Sequence, residues 1–134
     1  MKYLLDTCTI SDFVKGETNT LKKFKDTPSQ ELAISTISVM EINYGLLINP
    51  QKAKKIQAII EEILAKIIIL DFTQDDAQKA SLIRSFLKSQ GTPIGAYDVL
   101  IASTALNNQL ILVTSNVREF NRIPDLIVEN WREN

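Results

Sequence analysis

Short apolar runs alternate with longer segments of helical spacing along the chain, and this alternation is the feature that most restricts its fold. The runs are rich in branched residues, as buried strands are. Strands that alternate with helices predict a mostly parallel sheet covered by helices on both faces, a three-layer α/β fold. The predicted strands are Tyr3–Leu5, Ala33–Ile34, Ile67–Leu70, Leu110–Val113 and Leu126–Val128, and the predicted helices are Val39–Ile48, Ala53–Leu64, Asp76–Ser89 and Ala96–Asn107.

The chain is predicted to form one domain over residues 1–134. Its 134 residues can bury an apolar core without disulfide or metal cross-links. The sequence shows no internal repeat and no low-complexity tract. The breaks between segments are turn signals rather than interdomain linkers, and they fall at Asp26–Ser29, Asn49–Pro50, Gly91–Pro93 and Ile123–Pro124.

The sequence contains no histidine, which excludes several kinds of active site. Ser-His-Asp and Cys-His nucleophilic sites, imidazole acid–base catalysis and zinc sites with imidazole ligands all require that side chain. Any catalysis must therefore use carboxylates, hydroxyls, amides, Lys, Arg or Tyr. The balance of 15 Lys and Arg against 16 Asp and Glu provides no global attraction to polyanions.

Cys8 is the only cysteine, so the chain can form neither an internal disulfide nor a multi-cysteine metal site. We expect Cys8 to pack as a small apolar residue. Asp6 comes too early for the apolar stretch of a signal peptide, and the apolar run from Ile63 to Leu70 is too short to span a bilayer. These features predict a cytoplasmic protein with no membrane segment.

Polar residues directly after two predicted strands are candidates for a functional site, because ligands of parallel sheets bind at the carboxyl ends of the strands. Asp6 follows the first run, and Thr114, Ser115 and Asn116 follow the fourth. A helix N-cap or a turn explains Asp6 about as well as a functional role does, and a turn is also the simpler explanation for the second group.

Glu41 has two explanations. Ser38 and Glu41 fit a capping box, in which the Ser38 hydroxyl caps a helix and the Glu41 carboxylate accepts a hydrogen bond from the Ser38 backbone N–H. The residues from Ile42 to Ile48 give the same helix a mostly apolar circumference, so Glu41 is also expected to lie in a cleft. The two roles are compatible with each other.

Of the three acids, Asp98 is the one whose presence is least well explained by stabilisation of a helix end. It lies on the same helical stripe as Ile101, Ala102 and Ala105. Burying an unpaired charge is costly, so a carboxylate on an apolar stripe needs a partner. Stabilisation of the helix N-terminus is the alternative role.

If Asp6, Glu41 and Asp98 converge, they must take up protons or a cation. Two carboxylates about 4 Å apart repel by about 4 kcal/mol at an effective dielectric constant of about 20. Oxygen ligands without His or Cys select a hard ion, Mg²⁺ or Mn²⁺. Such an ion beside a phosphate predicts phosphodiester hydrolysis, with a carboxylate as the base for the attacking water.

Four segments resemble, in order, the motifs of PIN-domain ribonucleases. The resemblance is greatest to the VapC toxins of bacterial toxin–antitoxin pairs, and it covers nearly the whole chain. The motifs are Leu4–Thr7, Ile37–Ile42, Tyr97–Ala102 and Leu112–Phe120, and the closing signature of the VapC toxins matches Arg122–Pro124 and Val128–Trp131.

The resemblance implies a single PIN domain over residues 1–134, a three-layer α/β/α fold with a mostly parallel sheet of five strands. It implies an Mg²⁺- or Mn²⁺-dependent endoribonuclease, the toxin of a type II pair, whose partner is a cognate antitoxin protein. Asp6, Glu41 and Asp98 match the three acidic positions of the family and its metal ligands. Asn116 stands at the fourth position, where Asp is frequent, and it is expected to orient water together with Thr114. Glu119 could supply the missing charge.

Several alternatives stay open from sequence: a housekeeping RNA-processing nuclease of the same family, a phosphoacceptor signalling domain, a phosphatase of the haloacid-dehalogenase type and a non-catalytic interaction domain. A phosphoacceptor domain requires a paired acid at the first strand end, where this chain has Leu5 and Asp6, and a Lys after a later strand. The phosphatase requires an acid two residues after Asp6, where Cys8 stands.

Contacts with an RNA substrate are expected from local basic residues, since the net charge is only −1. The apolar helices after Glu41 and Asp76 carry more hydrophobic surface than a small sheet requires, which predicts a homodimer interface and a surface for an antitoxin helix. The candidates for RNA contacts are Lys15, Lys22, Lys23, Lys25, Arg84, Lys88, Arg118 and Arg122.

Overall fold

The computed structural model describes residues 1–133, which contain five strands and seven α-helices. None of these helices is long and apolar enough to cross a membrane. The strands are β1 (Tyr3–Leu5), β2 (Leu32–Ser35), β3 (Ile68–Leu70), β4 (Ile111–Val113) and β5 (Val128–Glu129). The helices are α1 (Thr7–Lys15), α2 (Thr18–Asp26), α3 (Thr36–Ile48), α4 (Pro50–Lys66), α5 (Gln74–Ser89), α6 (Ala96–Asn107) and α7 (Val117–Phe120).

All five strands are parallel and lie in the order β3-β2-β1-β4-β5. In the central strand β1, Leu4 lies opposite Ala33 of β2 and Leu112 of β4. The chain adds β2 and β3 on one side of β1 and then β4 and β5 on the other, so the strand order reverses between β1 and β4. Open parallel sheets bind ligands at such a reversal, outside the carboxyl ends of the strands.

Successive residues of β1 point to opposite faces of the sheet, and each face has its own core. Leu4 packs in a cluster with residues of α5, α6 and α7. Leu5 packs in a second cluster with residues of α1, α3 and α4 and with Trp131. Both leucines are fully buried. The predicted three-layer α/β/α arrangement, with a parallel five-stranded sheet, is confirmed.

The predicted strands and helices are all present, with boundaries that differ by a few residues. Helices α1, α2 and α7 were not among the predicted helices. They contain nine, nine and four residues, which is too short for a 3.6-residue period of apolar positions to stand out.

The predicted capping box of Ser38 and Glu41 is wrong. Strand β2 runs to Ser35, so α3 begins at Thr36, and the Ser35 hydroxyl caps it by accepting a hydrogen bond from the Ile37 N–H at 3.0 Å. Ser38 lies inside the first turn, fully buried, and its Oγ has no hydrogen-bond partner in residues 1–133. Glu41 is therefore not needed as a cap and points elsewhere.

The segment after β5 packs against α1 and α2. The Arg132 guanidinium donates two hydrogen bonds to the buried Asp12 carboxylate, at 2.6 and 2.7 Å. The Trp131 ring contacts Tyr3 and Phe24 edge-on, with centroids 5.4 and 5.3 Å apart. These contacts fix α1, the helix whose N-terminus carries Asp6.

Candidate active site

Polar side chains collect at the carboxyl ends of β1, β2 and β4. The Asp6 backbone N–H donates to the Val113 carbonyl at 2.9 Å, which ties the residue after β1 to the end of β4. Helix α3 begins directly after β2 and carries Glu41, and Asp98 lies in the first turn of α6. The residues predicted from sequence thus come from four separate parts of the chain.

Asp6 is buried and hydrogen-bonded through both carboxylate oxygens. Its Oδ1 accepts a hydrogen bond from the Thr7 N–H at 2.8 Å, and its Oδ2 accepts one from the Thr114 hydroxyl at 2.8 Å. Asp6 is the N-cap of α1, so the structural role considered from sequence is present. Each carboxylate oxygen can accept a further bond, so the cap leaves room for a second function.

Glu41 is connected to Asp6 through Thr7. The Thr7 hydroxyl donates to Glu41 Oε1 at 2.9 Å, while the backbone N–H of the same residue caps Asp6. Glu41 is half-buried. Thr7 was not predicted as a site residue. The only feature of the sequence that could have indicated it is a hydroxyl directly after an acid at a strand end.

Asp98 lies within the electrostatic influence of three other carboxylates. Burial, followed by repulsion from Asp6, Glu41 and Glu119, raises the pKa of Asp98 from its ordinary 3.8 to about 6. The structure therefore brings Asp6, Glu41 and Asp98 into one region and adds Glu119 to them. We call these four residues the acid cluster.

Asn116, at the fourth position of the predicted site, holds Glu119 in place. The Asn116 side-chain amide donates to Glu119 Oε2 at 3.0 Å, and its backbone N–H donates to the Thr114 hydroxyl at 3.0 Å. Thr114 is fully buried, and its hydroxyl in turn donates to Asp6, so hydrogen bonds connect Asn116 to Asp6 through Thr114. An amide at this position is thus followed, three residues later, by a carboxylate that faces the other acids.

The donors of this site are carboxylate, hydroxyl and amide oxygens, which are ligands for hard cations. No group of three or more His, Cys, Asp or Glu side chains within residues 1–133 is arranged to hold a metal ion directly. The predicted ligands Asp6, Glu41 and Asp98 therefore do not close around one point. Such an open set of oxygens suits Mg²⁺, which takes one or two carboxylates and keeps several water ligands.

Cys8 does not pack as the small apolar residue that was expected. It is half-buried, and its Sγ lies 3.4 Å from Asp6 Oδ2, 3.3 Å from the Thr114 hydroxyl and 3.4 Å from the Ser115 backbone N. The expectation failed because the first turn of α1 directs this side chain toward the polar edge of the sheet and not toward the core.

Two grooves carry basic residues, and one of them is lined by an acid of the cluster. Lys15 and Lys52 line one of them together with Glu41, and Arg84 lines the other together with Tyr97, the neighbour of Asp98. Lys22 and Lys23 lie elsewhere, in a pocket next to Trp131. The predicted basic residues are thus divided between several surfaces, and Lys52 was not among them.

Comparison with known families and proteins gives a consistent result. The family model described as PIN domain matches residues 3–126. The tRNA(fMet)-specific endonuclease VapC of Salmonella typhimurium is 32% identical over 131 residues, and the ribonuclease VapC2 of Haemophilus influenzae is 34% identical over 131 residues. Both alignments cover 98% of this chain and 98% of the relative.

Solved structures resemble the chain over almost its full length. The DNA-bound VapBC complex from Salmonella typhimurium has a TM-score of 0.89 at 33% identity and covers 98% of both chains. The VapBC2 complex from Rickettsia felis, bound to a DNA fragment from its promoter, has a TM-score of 0.86 at 32% identity, with 98% of this chain and 99% of that chain covered.

Proposed function

The chain belongs to the PIN-domain family and, within it, to the VapC ribonucleases, and we propose that it hydrolyses RNA phosphodiester bonds with Mg²⁺ or Mn²⁺ as its cofactor. The observation that carries this proposal is the position of the acid cluster at the strand-order reversal, where burial and then repulsion from the other acids raise the pKa of Asp98 to about 6. A divalent cation offsets that repulsion, and a phosphate group can share the cation.

The residues that would hold the ion are Asp6, Glu41 and Asp98, with Glu119 beside them. The oxygen-only donor set and the absence of histidine from the sequence support a hard cation. When bound, the ion supplies a Lewis acid that polarises a phosphate oxygen, acidifies an attacking water and offsets charge on the leaving oxygen.

The other residues of the site act by orientation. Thr114 and Thr7 hold Asp6 and Glu41 through hydrogen bonds of 2.8 and 2.9 Å, so these carboxylates lose little freedom when substrate binds. Asn116 holds Glu119 and, together with Thr114, is proposed to orient water. A carboxylate of the acid cluster accepts the proton of the attacking water, and the ribose oxygen that leaves phosphorus takes up a proton.

An antitoxin protein and a second copy of the chain are the proposed partners. The structures from Salmonella typhimurium and Rickettsia felis are toxin–antitoxin complexes. In this chain α3 exposes a row of large apolar side chains, with Tyr44 61%, Leu47 79% and Ile48 64% exposed. An exposed apolar patch of this kind is typical of a protein-covered surface.

Cleavage of initiator tRNA by the purified chain tests the proposed function, because a relative of this chain is named for that substrate. We expect cleavage with Mg²⁺ or Mn²⁺ and none in EDTA. We expect Asp98→Asn to lower the cleavage rate by a factor of about 10² or more, because it removes a carboxylate from the metal site.

Asp125→Asn is the matched control. Asp125 is exposed just before β5, at the opposite end of the sheet, and its φ of 67° is one that Asn also adopts. Two results contradict the proposal: wild-type cleavage that is undiminished in EDTA, and cleavage by Asp98→Asn at the wild-type rate. Growth arrest on expression, relieved by co-expression of the antitoxin, distinguishes a toxin from a housekeeping nuclease.

A further inference from the structure

A groove of about 490 Å³ opens between α5 and α6. Phe72, Leu87, Ile94 and Leu100 contribute to a mostly apolar lining. Tyr97 and Arg84 also line the groove, and the Tyr97 side chain is 51% exposed. An exposed aromatic ring and a cation therefore stand at the same apolar groove.

Neither Tyr97 nor Arg84 has an aromatic or charged side-chain partner in the described part of the chain. Within residues 1–133, no aromatic pair, cation–π contact or salt bridge involves either side chain. A second cation lies at the edge of the groove, where the Arg122 guanidinium donates to the Pro93 carbonyl at 3.3 Å. These features favour a ligand that combines a flat apolar face with negative charge.

Tyr97 is the residue by which the groove approaches the acid cluster, because it lines the groove while the acids themselves do not. Tyr97 directly precedes Asp98 in the first turn of α6, and consecutive helical residues point about 100° apart. A chain whose phosphate lies at Asp98 can therefore place its neighbouring unit against Tyr97. RNA has the required repeat, since each phosphate is followed by a base with two flat faces.

We propose that this groove binds the base of a nucleotide next to the scissile phosphate, with Tyr97 stacking on the base and Arg84 contacting its face or its phosphate. Unpaired bases are held in this way by aromatic side chains and by Arg guanidinium planes. The inference rests on the proposed ribonuclease function and deepens it, because it assigns the binding of single-stranded nucleotides to named residues.

The test measures RNA binding separately from cleavage. A fluorescent single-stranded RNA that spans the mapped cleavage site is titrated with the chain in EDTA, and anisotropy gives the Kd. We expect Tyr97→Ala to weaken binding about tenfold and Tyr97→Phe to stay within about twofold of the wild type, since Phe keeps the stacking ring. Under cleavage conditions, Tyr97→Ala raises KM while kcat stays within about twofold.

An abasic nucleotide locates the stacked base. Moved through the positions around the cleavage site, it should weaken wild-type binding about tenfold at one flanking position and should not weaken Tyr97→Ala further there. The matched controls are Ile127→Ala, an exposed apolar residue just before β5, and Lys79→Ala, a cation on α5 outside this groove. Both should bind RNA as the wild type does.

Three results would overturn the inference. The first is a Tyr97→Ala Kd equal to that of the wild type, and the second is a Tyr97→Phe Kd as weak as that of Tyr97→Ala. The third is a change of oligomeric mass in Tyr97→Ala with unchanged RNA binding, which makes the groove an interface between copies. A wild-type chain that cleaves no RNA contradicts the proposed function itself, and this outcome is recognised before any groove variant is made.

Discussion

Gly95 and Asp98 approach each other closely at the start of α6. A Cβ on residue 95 would stand 3.2 Å from Asp98 Oδ2, which is tighter than an ordinary van der Waals contact. The backbone of Gly95, with φ −55° and ψ 146°, is one that other residues adopt readily. The position therefore favours glycine because of the neighbouring carboxylate and not because of the backbone.

Gly95→Ala is predicted to impair the site without unfolding the chain. The added methyl group displaces the Asp98 carboxylate by a few tenths of an ångström, so the cleavage rate should fall about tenfold. The free energy of unfolding should change by less than about 1 kcal/mol. Gly45→Ala in α3, where the Cβ would meet no atom within 4 Å, is the control and should cleave normally. Full cleavage activity in Gly95→Ala would show that Asp98 tolerates the methyl group.

Asp98 also makes the stability of the metal-free chain depend on pH. Because its pKa in the folded chain is about 6, above the ordinary 3.8, the folded chain binds more protons between these values than the unfolded chain does. The stabilisation that this residue contributes is complete below about pH 4 and is lost as the pH rises through about 6.

Asp98→Asn should therefore be more stable than the wild type at about pH 8 in EDTA, and the difference should shrink as the pH falls to about 4. Urea unfolding of both proteins at the two pH values measures this, with Asp125→Asn as a control that should show no such trend. A difference that is the same at both pH values would mean that Asp98 titrates alike in the folded and unfolded chains.

Single residues of the site could be predicted where their chemistry conflicts with their surroundings. Asp98 was identified because a carboxylate continues an apolar stripe. The bonds from Thr7 to Glu41 and from Asn116 to Glu119 could not be predicted, because they depend on side-chain directions that periodicity does not contain.

At the scale of elements, one buried carboxylate joins α5 to α6. Asp76, 1% exposed, accepts hydrogen bonds from the Thr104 hydroxyl at 2.9 Å and from the Asn107 amide at 2.8 Å. It also accepts one from the Thr73 N–H at 3.2 Å, within the capping box that starts α5. Because α6 carries Tyr97 and Asp98, this network supports the site from a distance.

Asp76→Asn is predicted to lower the free energy of unfolding by about 1–2 kcal/mol, since a neutral amide offers one acceptor oxygen to three donors. Asp75→Asn, in the same first turn but exposed, should change it by less than about 0.5 kcal/mol. Urea unfolding compares the two variants. Equal effects would mean that Asp76 acts only as a charge near the helix N-terminus.

The helices could be predicted from apolar spacing, but their first residues could not. The spacing placed the start of α5 at Asp76, whereas the helix starts at Gln74 behind the Thr73 cap. Likewise, the choice between Ser35 and Ser38 as the cap of α3 depends on where β2 ends. Helix starts are decided by hydrogen bonds to the preceding loop or strand, which the apolar pattern does not record.

At the scale of the molecule, the number of strands and their parallel arrangement could be predicted, but their order could not. Each apolar run fits any position in a buried sheet, so nothing in the runs places β4 next to β1. That pairing creates the strand-order reversal and brings Thr114 to Asp6. The convergence of the acids was therefore a hypothesis from sequence, and the fold supplies the reason for it.

The proposed nuclease chemistry depends on the metal site, and calorimetric titration with Mn²⁺ measures that site without any RNA. We predict that the wild type binds Mn²⁺ and that Asp98→Asn binds it at least about tenfold more weakly, because one carboxylate ligand is lost. Binding should release about half a proton near pH 6 and almost none near pH 8, because the ion displaces the proton held by Asp98. Equal Mn²⁺ affinity in the wild type and Asp98→Asn, or proton release that is the same at both pH values, would contradict a metal site at Asp98.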